Sequence, residues 1–168
     1  MPAILSHWLF GKKLLPLLRK HPELGQMDED CFFWGAQGPD ILFYSRLMPW
    51  MIGPDYRKYA TPLHEEGSGE LLSIMASMLS ACSGDDRKRM LGYCMGMCCH
   101  YSLDRVTHPL IYWVEEGMRA EDSRGPDYKY HGEIESMLDV MLLRRETGLL
   151  PCEYKSAVCH ASRRIAAV

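Results

Sequence analysis

The chain has 168 residues, 47% of them apolar and 24% charged, with a formal charge of −3. This length fits one domain spanning residues 1–168, with enough chain to bury a core, and the small charge gives no pull toward nucleic acid or anionic lipid. No apolar run approaches the roughly 18 residues of a membrane span. The start, Met1-Pro2-Ala3-Ile4-Leu5-Ser6-His7, lacks the pattern of a signal peptide. Seven cysteines without an export signal are therefore expected as reduced thiols in a cytoplasmic protein.

In chain order, Leu14, Leu15, Leu17 and Leu18 predict a first helix over about Gly11–Lys20, interrupted or entered at Pro16. A loop follows with Gly35, Gly38 and Pro39, then an aromatic-rich stretch from Ile41 to Ile52 and a turn-rich segment from Gly53 to Pro62. Core packing is the expected role of Phe32, Phe33, Trp34, Phe43, Tyr44, Met48, Trp50 and Met51; lining a lipid-tail groove is the alternative. Glu70–Ala81 reads as an amphipathic helix with Leu71, Leu72, Ile74, Met75, Met78 and Leu79 on its apolar stripe. The next helix runs from about Arg87 to Thr107 and is expected to stop near His108, because Pro109 cannot continue it freely. Glu115–Asp127 is expected as a loop, and Lys129–Glu146 as a helix that turns Met137, Leu138, Met141 and Leu142 inward. Gly148 and Pro151 break that helix, and a short one is expected over Pro151–Ala167. No strand alternation longer than a few residues appears, so the predicted fold class is all-α: a helical bundle around a multinuclear metal site.

Two runs carry the chemistry. His100, Asp104 and His108 follow one another at four-residue intervals, and His131 precedes Glu135 by the same interval. Residues four apart share a helix face, one turn above the other. Each run therefore aims imidazoles and carboxylates at one spot, and these are the side chains that hold zinc and similar divalent ions. Further ligands are sought in loops, where His7, Asp40 and His64 are the candidates. Gly96 and Gly92 lie one and two turns before His100 and serve either helix packing or access to the site. Cys94 and Cys98 point away from the His100–Asp104 face and read as small buried hydrophobes. Asp127 and Asp139 are weighed as acceptors for ligand imidazoles, with surface roles preferred for both. His21 and His160 show no partner pattern, and Lys12, Lys13, Arg19 and Lys20 read as a solvated face.

These pieces, in this order, resemble the zinc-dependent phospholipase C family of the bacterial phosphatidylcholine-cleaving type. The resemblance rests on Ser6-His7-Trp8-Leu9-Phe10-Gly11, Gly35-Ala36-Gln37-Gly38-Pro39-Asp40-Ile41, His64, His100-Tyr101-Ser102-Leu103-Asp104 and His131-Gly132-Glu133-Ile134-Glu135, and reaches to about residue 140. It implies an all-helical fold around two or three ions, zinc or other divalent transition metals. It implies that Asp40, His64, His100 and Asp104 hold one zinc, that His131 and Glu135 hold a second, and that His7 holds a third bridged by Asp104. His108 is expected as a ligand as well, although it falls closer to Asp104 than the family's corresponding histidine. The implied activity is hydrolysis of a phosphodiester by metal-activated water, with Asp40 as general base and a phospholipid or other phosphoester as substrate. Family phospholipases bind the third zinc through an amino-terminal tryptophan, and this chain has Met1 and Pro2. The alternatives are hydrolysis of a soluble phosphoester and a metal-stabilised binding domain without catalysis. The chain is expected to stop short of longer relatives.

Overall fold

The computed structural model describes residues 4–45, 52–65, 68–121, 124–125 and 128–154. Among them it has seven helices and no strand: α1 Ile4–Leu18, α2 Glu29–Gly35, a 3-10 helix α3 Gly38–Tyr44, α4 Arg57–Glu65, α5 Ser68–Ala81, α6 Gly84–Glu121 and α7 Tyr130–Thr147. The all-α expectation holds.

The longest element differs most from expectation. α6 continues through Pro109 to Glu121 instead of ending at His108. Proline removes the bond that Arg105 C=O would accept. Arg105, Val106 and Pro109 all face solvent, so water can satisfy that carbonyl, and packing beyond the proline keeps the helix going. There Ile111 is buried against Tyr130 and Ile134 of α7, with Val114 and Met118 beside them. Glu115 consequently lies on a helix and not in a loop.

Other corrections follow the same logic. α1 begins at Ile4, before the leucine run, because Trp8 and Leu9 are buried with Leu15; Pro16 falls in its last turn. The segment before Gly35 forms α2, capped by Asp28, whose side chain accepts from the Cys31 N–H at 2.8 Å. His64 sits on α4, with Pro62 inside that helix, and not in a turn. On α7, Met137 (53% exposed) and Met141 (67%) face outward. The buried positions are Tyr130, Ile134, Glu135 and Leu143, so the inward face is rotated from the expected one. Gly148, at φ 75°, ends α7 by donating to Arg144 C=O at 2.8 Å. Of the helix expected over Pro151–Ala167, residues 151–153 form a turn instead, and 155–167 lie outside the described residues, as do Met48, Trp50, Met51, Asp127, Cys159 and His160.

Three clusters form the core. The largest joins Trp8, Leu9 and Leu15 of α1, Phe32 and Phe33 of α2, Cys99 of α6 and Leu143 of α7, with Met27. Phe32 and Leu143 are fully buried, and burying each contributes about 1.5–3 kcal/mol. Cys94 and Met97 of α6 meet Met75 of α5 in the second cluster, which fits the reading of Cys94 as a small hydrophobe. The six described cysteines are free.

Two glycines decide how closely α2 meets α6. A Cβ on Gly96 would lie 2.1 Å from Phe32 O, and one on Gly92 would lie 2.3 Å from Asp28 O. Backbone packs on backbone there, so both glycines serve helix packing and not site access. α1 and α7 run parallel: Ser6 pairs with Asp139 and Lys13 with Glu146. This register places the start of α1 beside the middle of α7.

Candidate metal centre

Five elements deliver side chains to one region between α6 and its neighbours. His7 comes from α1, Asp40 from α3 and His64 from α4. His100, Asp104 and His108 come from α6, and His131 and Glu135 from α7. All eight residues singled out from the sequence converge here, and each belongs to a group whose candidate ligand atoms lie within 4.8 Å of one another. The groups are His7–His100–Asp104, Asp40–His64–His100 and His108–His131–Glu135.

Asp104 stands at the centre. Its Oδ1 lies 3.2 Å from His7 Nε2 and 4.0 Å from His108 Nε2, and its Oδ2 lies 3.1 Å from His100 Nε2. Burial works to raise the Asp104 pKa, but His100 and His7 beside it win and hold it well below the usual carboxylate range. Burial likewise works to lower the His7 pKa, and Asp104 and Asp40 reverse this into a rise. Asp40 accepts from His64 Nε2 at 2.6 Å, and its other oxygen is 3.7 Å from His7.

The third group is arranged in the same way. Glu135 Oε1 lies 3.1 Å from His131 Nε2 and 3.7 Å from His108 Nε2. Burial alone would raise the Glu135 pKa; the two imidazoles bring it down to about 2. The Tyr112 ring lies 5.4 Å from the rings of both His108 and His131. Burial grades across the centre: His100 is fully buried, whereas the His131 side chain is 31% exposed. The centre is closed at the His100 end and open at the His131 end.

The donor set fits zinc. His100 is sealed from solvent, yet its Nδ1 has no hydrogen-bond partner among the described residues, and nor does Nδ1 of His7. A buried polar atom left unpaired costs about 1–3 kcal/mol, a cost that coordination of an ion removes. His64 Nδ1 donates to Ala60 C=O at 2.7 Å, which leaves its Nε2 to face the cluster. Gly38, at φ 58°, packs directly on the His100 ring; a Cβ there would lie 2.3 Å from ring carbons. The glycine therefore lets α3 bring Asp40 against His100.

Sequence reasoning missed one carboxylate, Glu115, and misplaced another, Asp139. Glu115 Oε2 lies 3.4 Å from His131 Nδ1, on the far side of the imidazole from Glu135, while Arg119 donates to Glu115 Oε1 at 2.7 Å. Its signal was the spacing of seven from His108, two turns along the same face, hidden by the expected helix end at Pro109. Asp139 is no surface residue: it accepts from the N–H groups of Leu5 and Ser6 at 3.0 and 2.7 Å and from Ser6 Oγ at 2.6 Å. It thereby caps α1 two residues before His7. His21 is exposed, as expected of a residue without a metal-type partner pattern.

The sequence model of the family described as zinc dependent phospholipase C matches residues 6–166. The chain belongs to this family. A zinc-dependent phospholipase C is a metal-dependent phospholipid hydrolase, and the His/Asp/Glu groups above agree with that zinc dependence. No curated protein and no solved structure matches the chain. Among the described residues of this phospholipase C family member no helix is long and apolar enough to cross a membrane.

Proposed function

We propose that the chain hydrolyses the phosphodiester of a phospholipid at this centre. The observation that carries the reading is the three ligand groups joined through one carboxylate, Asp104. In this reading Asp40, His64, His100 and Asp104 hold one zinc, His7 and Asp104 contribute to another, and His108, His131 and Glu135 hold a further one. Zinc, when bound, supplies Lewis acidity toward phosphoryl oxygen and acidifies water.

The chain's own residues do the rest. Asp40 lies between two of these imidazoles, its oxygens 2.6 Å from His64 Nε2 and 3.7 Å from His7 Nε2. With His64 Nε2 given to an ion, one Asp40 oxygen would take a proton from the water that attacks phosphorus and return it to the diacylglycerol oxygen as its bond to phosphorus breaks. Ala60 and Glu115 fix the ring orientations of His64 and His131. The exposed His131 end admits the phosphate, and the buried His100 end keeps bulk water from the carboxylates.

The test is metal analysis joined to activity. Purified protein is expected to carry at least one zinc per chain and to release phosphorylated head group from dispersed phospholipid. Asp104→Asn is expected to lose bound zinc and at least a hundredfold of activity together. A wild-type chain with less than one transition metal per molecule, or an Asp104→Asn variant with full metal content and activity, would sink the reading. Equal or faster turnover of water-soluble nitrophenyl phosphodiesters would move the substrate away from lipid.

A further inference from the structure

Beside the metal centre lies an apolar groove of about 270 Å³ between α1, α6 and α7. Leu9 and Phe10 of α1, Leu103 and Leu110 of α6, and Leu138 and Leu142 of α7 form its walls. The groove reaches His7, Asp104 and Glu135, residues of the candidate centre, and also Lys13 and Glu146, paired at 2.8 Å. Along α7, from Glu135 to Glu146, it follows eleven residues, about 16 Å of helix at 1.5 Å per residue. It is elongated and apolar between two polar ends.

The position of the groove on α6 gives it a direction. Successive residues advance about 100° around a helix. Asp104 and His108 thus mark one flank of α6, Leu103 and Leu110 the next, and Val106 and Trp113 lie beyond them. Leu110 is 57% exposed, and Val106 and Trp113 are exposed as well. Apolar surface is therefore continuous from solvent, past Leu110, into the groove and up to the ligand carboxylates. Trp and branched aliphatic side chains at such an edge suit contact with a lipid surface.

We propose that this groove holds one acyl chain of the substrate, with the ester end at Asp104 and Glu135 and the methyl end toward Lys13 and Glu146. The inference rests on the phospholipid reading for its substrate, but its walls and dimensions are those of the chain itself. One chain is assigned to the groove and the other to the exposed Leu110–Trp113 surface. The geometry makes acyl length a determinant of substrate choice, because a chain longer than the groove meets the Lys13–Glu146 pair.

The experiment has two arms. In the first, dansylated undecanoic acid is titrated into the purified chain and followed by fluorescence. Saturable binding is expected, weakened at least tenfold by Leu142→Trp, which fills the groove, and by Leu110→Asp, which charges its mouth. Met141→Trp, on the exposed face of the same helix, is the control and is expected to bind as wild type does. Leu110 is a surface position, so Leu110→Asp carries the test if Leu142→Trp does not fold. No saturable binding by wild type, or binding indifferent to Leu110→Asp, overturns the proposal. In the second arm, hydrolysis of phospholipids of graded acyl length is compared with that of an acyl-free nitrophenyl phosphodiester. The ratio of long-chain to acyl-free rate is expected to fall at least tenfold in Leu142→Trp, and an unchanged ratio counts against the groove. Probe binding without hydrolysis of either substrate supports the groove and sinks the hydrolase reading. Hydrolysis without probe binding or length dependence does the reverse.

Discussion

The imidazoles of the centre are only as well aimed as the acceptors behind them. His131 is held between Glu135 at 3.1 Å and Glu115 at 3.4 Å, and such outer partners typically contribute ten- to a hundredfold in metal affinity. Glu115→Gln is therefore expected to weaken zinc at the His108–His131–Glu135 group by about that factor, measured by competition with a chromophoric chelator, while the Asp40–His64–His100 group retains its ion. Equal loss from both groups would show that Glu115 acts on the fold and not on His131. Asp139 gives a second prediction. Its carboxylate satisfies two of the first amides of α1 and complements the positive end of that helix. Replacing it by Ala is expected to cost about 1–2 kcal/mol. That is about 2–8 °C in thermal midpoint for a domain of this size, and an unchanged midpoint would remove the cap from the account. The eight centre residues could be read from the sequence because four-residue spacing is a local property of a helix, and a resemblance supplied the rest. Glu115 and Asp139 could not, since one needs α6 to pass Pro109 and the other needs the parallel register of α1 with α7.

At the scale of elements, the strongest constraint is the backbone contact of α2 with α6. Gly96→Ala would drive a methyl group to 2.1 Å from Phe32 O. Neither partner is a flexible side chain, so the helices must part. Overpacking of this kind costs about 1–3 kcal/mol and sometimes more. It would also move His100, one turn on, away from Gly38 and Asp40, so reduced zinc content should accompany the loss of stability. Gly117 lies on the same helix with open space around it, and Gly117→Ala is expected to stabilise by up to about 1 kcal/mol. Denaturant melts of the two variants should shift in opposite directions; shifts of the same sign would refute the packing argument. The extents of α5 and α7 were legible because apolar residues recur along them and their ends carry Gly or polar breaks, but their buried faces were not: Ile74 and Met78 of the expected α5 stripe are exposed, as are Met137 and Met141 of α7. α2, α4 and the second half of α6 were not legible. They are short or contain proline, and tertiary packing, of α2 on α6, of α4 on α3 and of α6 on α7, outweighs the local signal.

For the whole molecule, the centre joins α1, α3, α4, α6 and α7, whereas the largest apolar cluster draws on α1, α2, α6 and α7. α3 and α4 therefore depend on the centre more than on the core. The buried carboxylates of Asp40, Asp104 and Glu135 face imidazoles at 2.6, 3.1 and 3.1 Å, and Nδ1 of His100 lies in a sealed site without a hydrogen-bond partner among the described residues. An ion bound to the folded chain alone stabilises it by mass action, about 4 kcal/mol at a thousand times the dissociation constant. For a chain of this length that corresponds to about 8–16 °C in thermal midpoint. Chelation is thus expected to lower the midpoint by this order and added zinc to restore it. Hydrogen exchange should show the first loss of protection in α3 and α4. Asp104→Asn should gain less from zinc than the wild type does, because the carboxylate that links the groups is gone. A wild-type midpoint indifferent to chelator would show that the fold stands without the centre, and a zinc shift in Asp104→Asn as large as in the wild type would show that Asp104 does not hold it together.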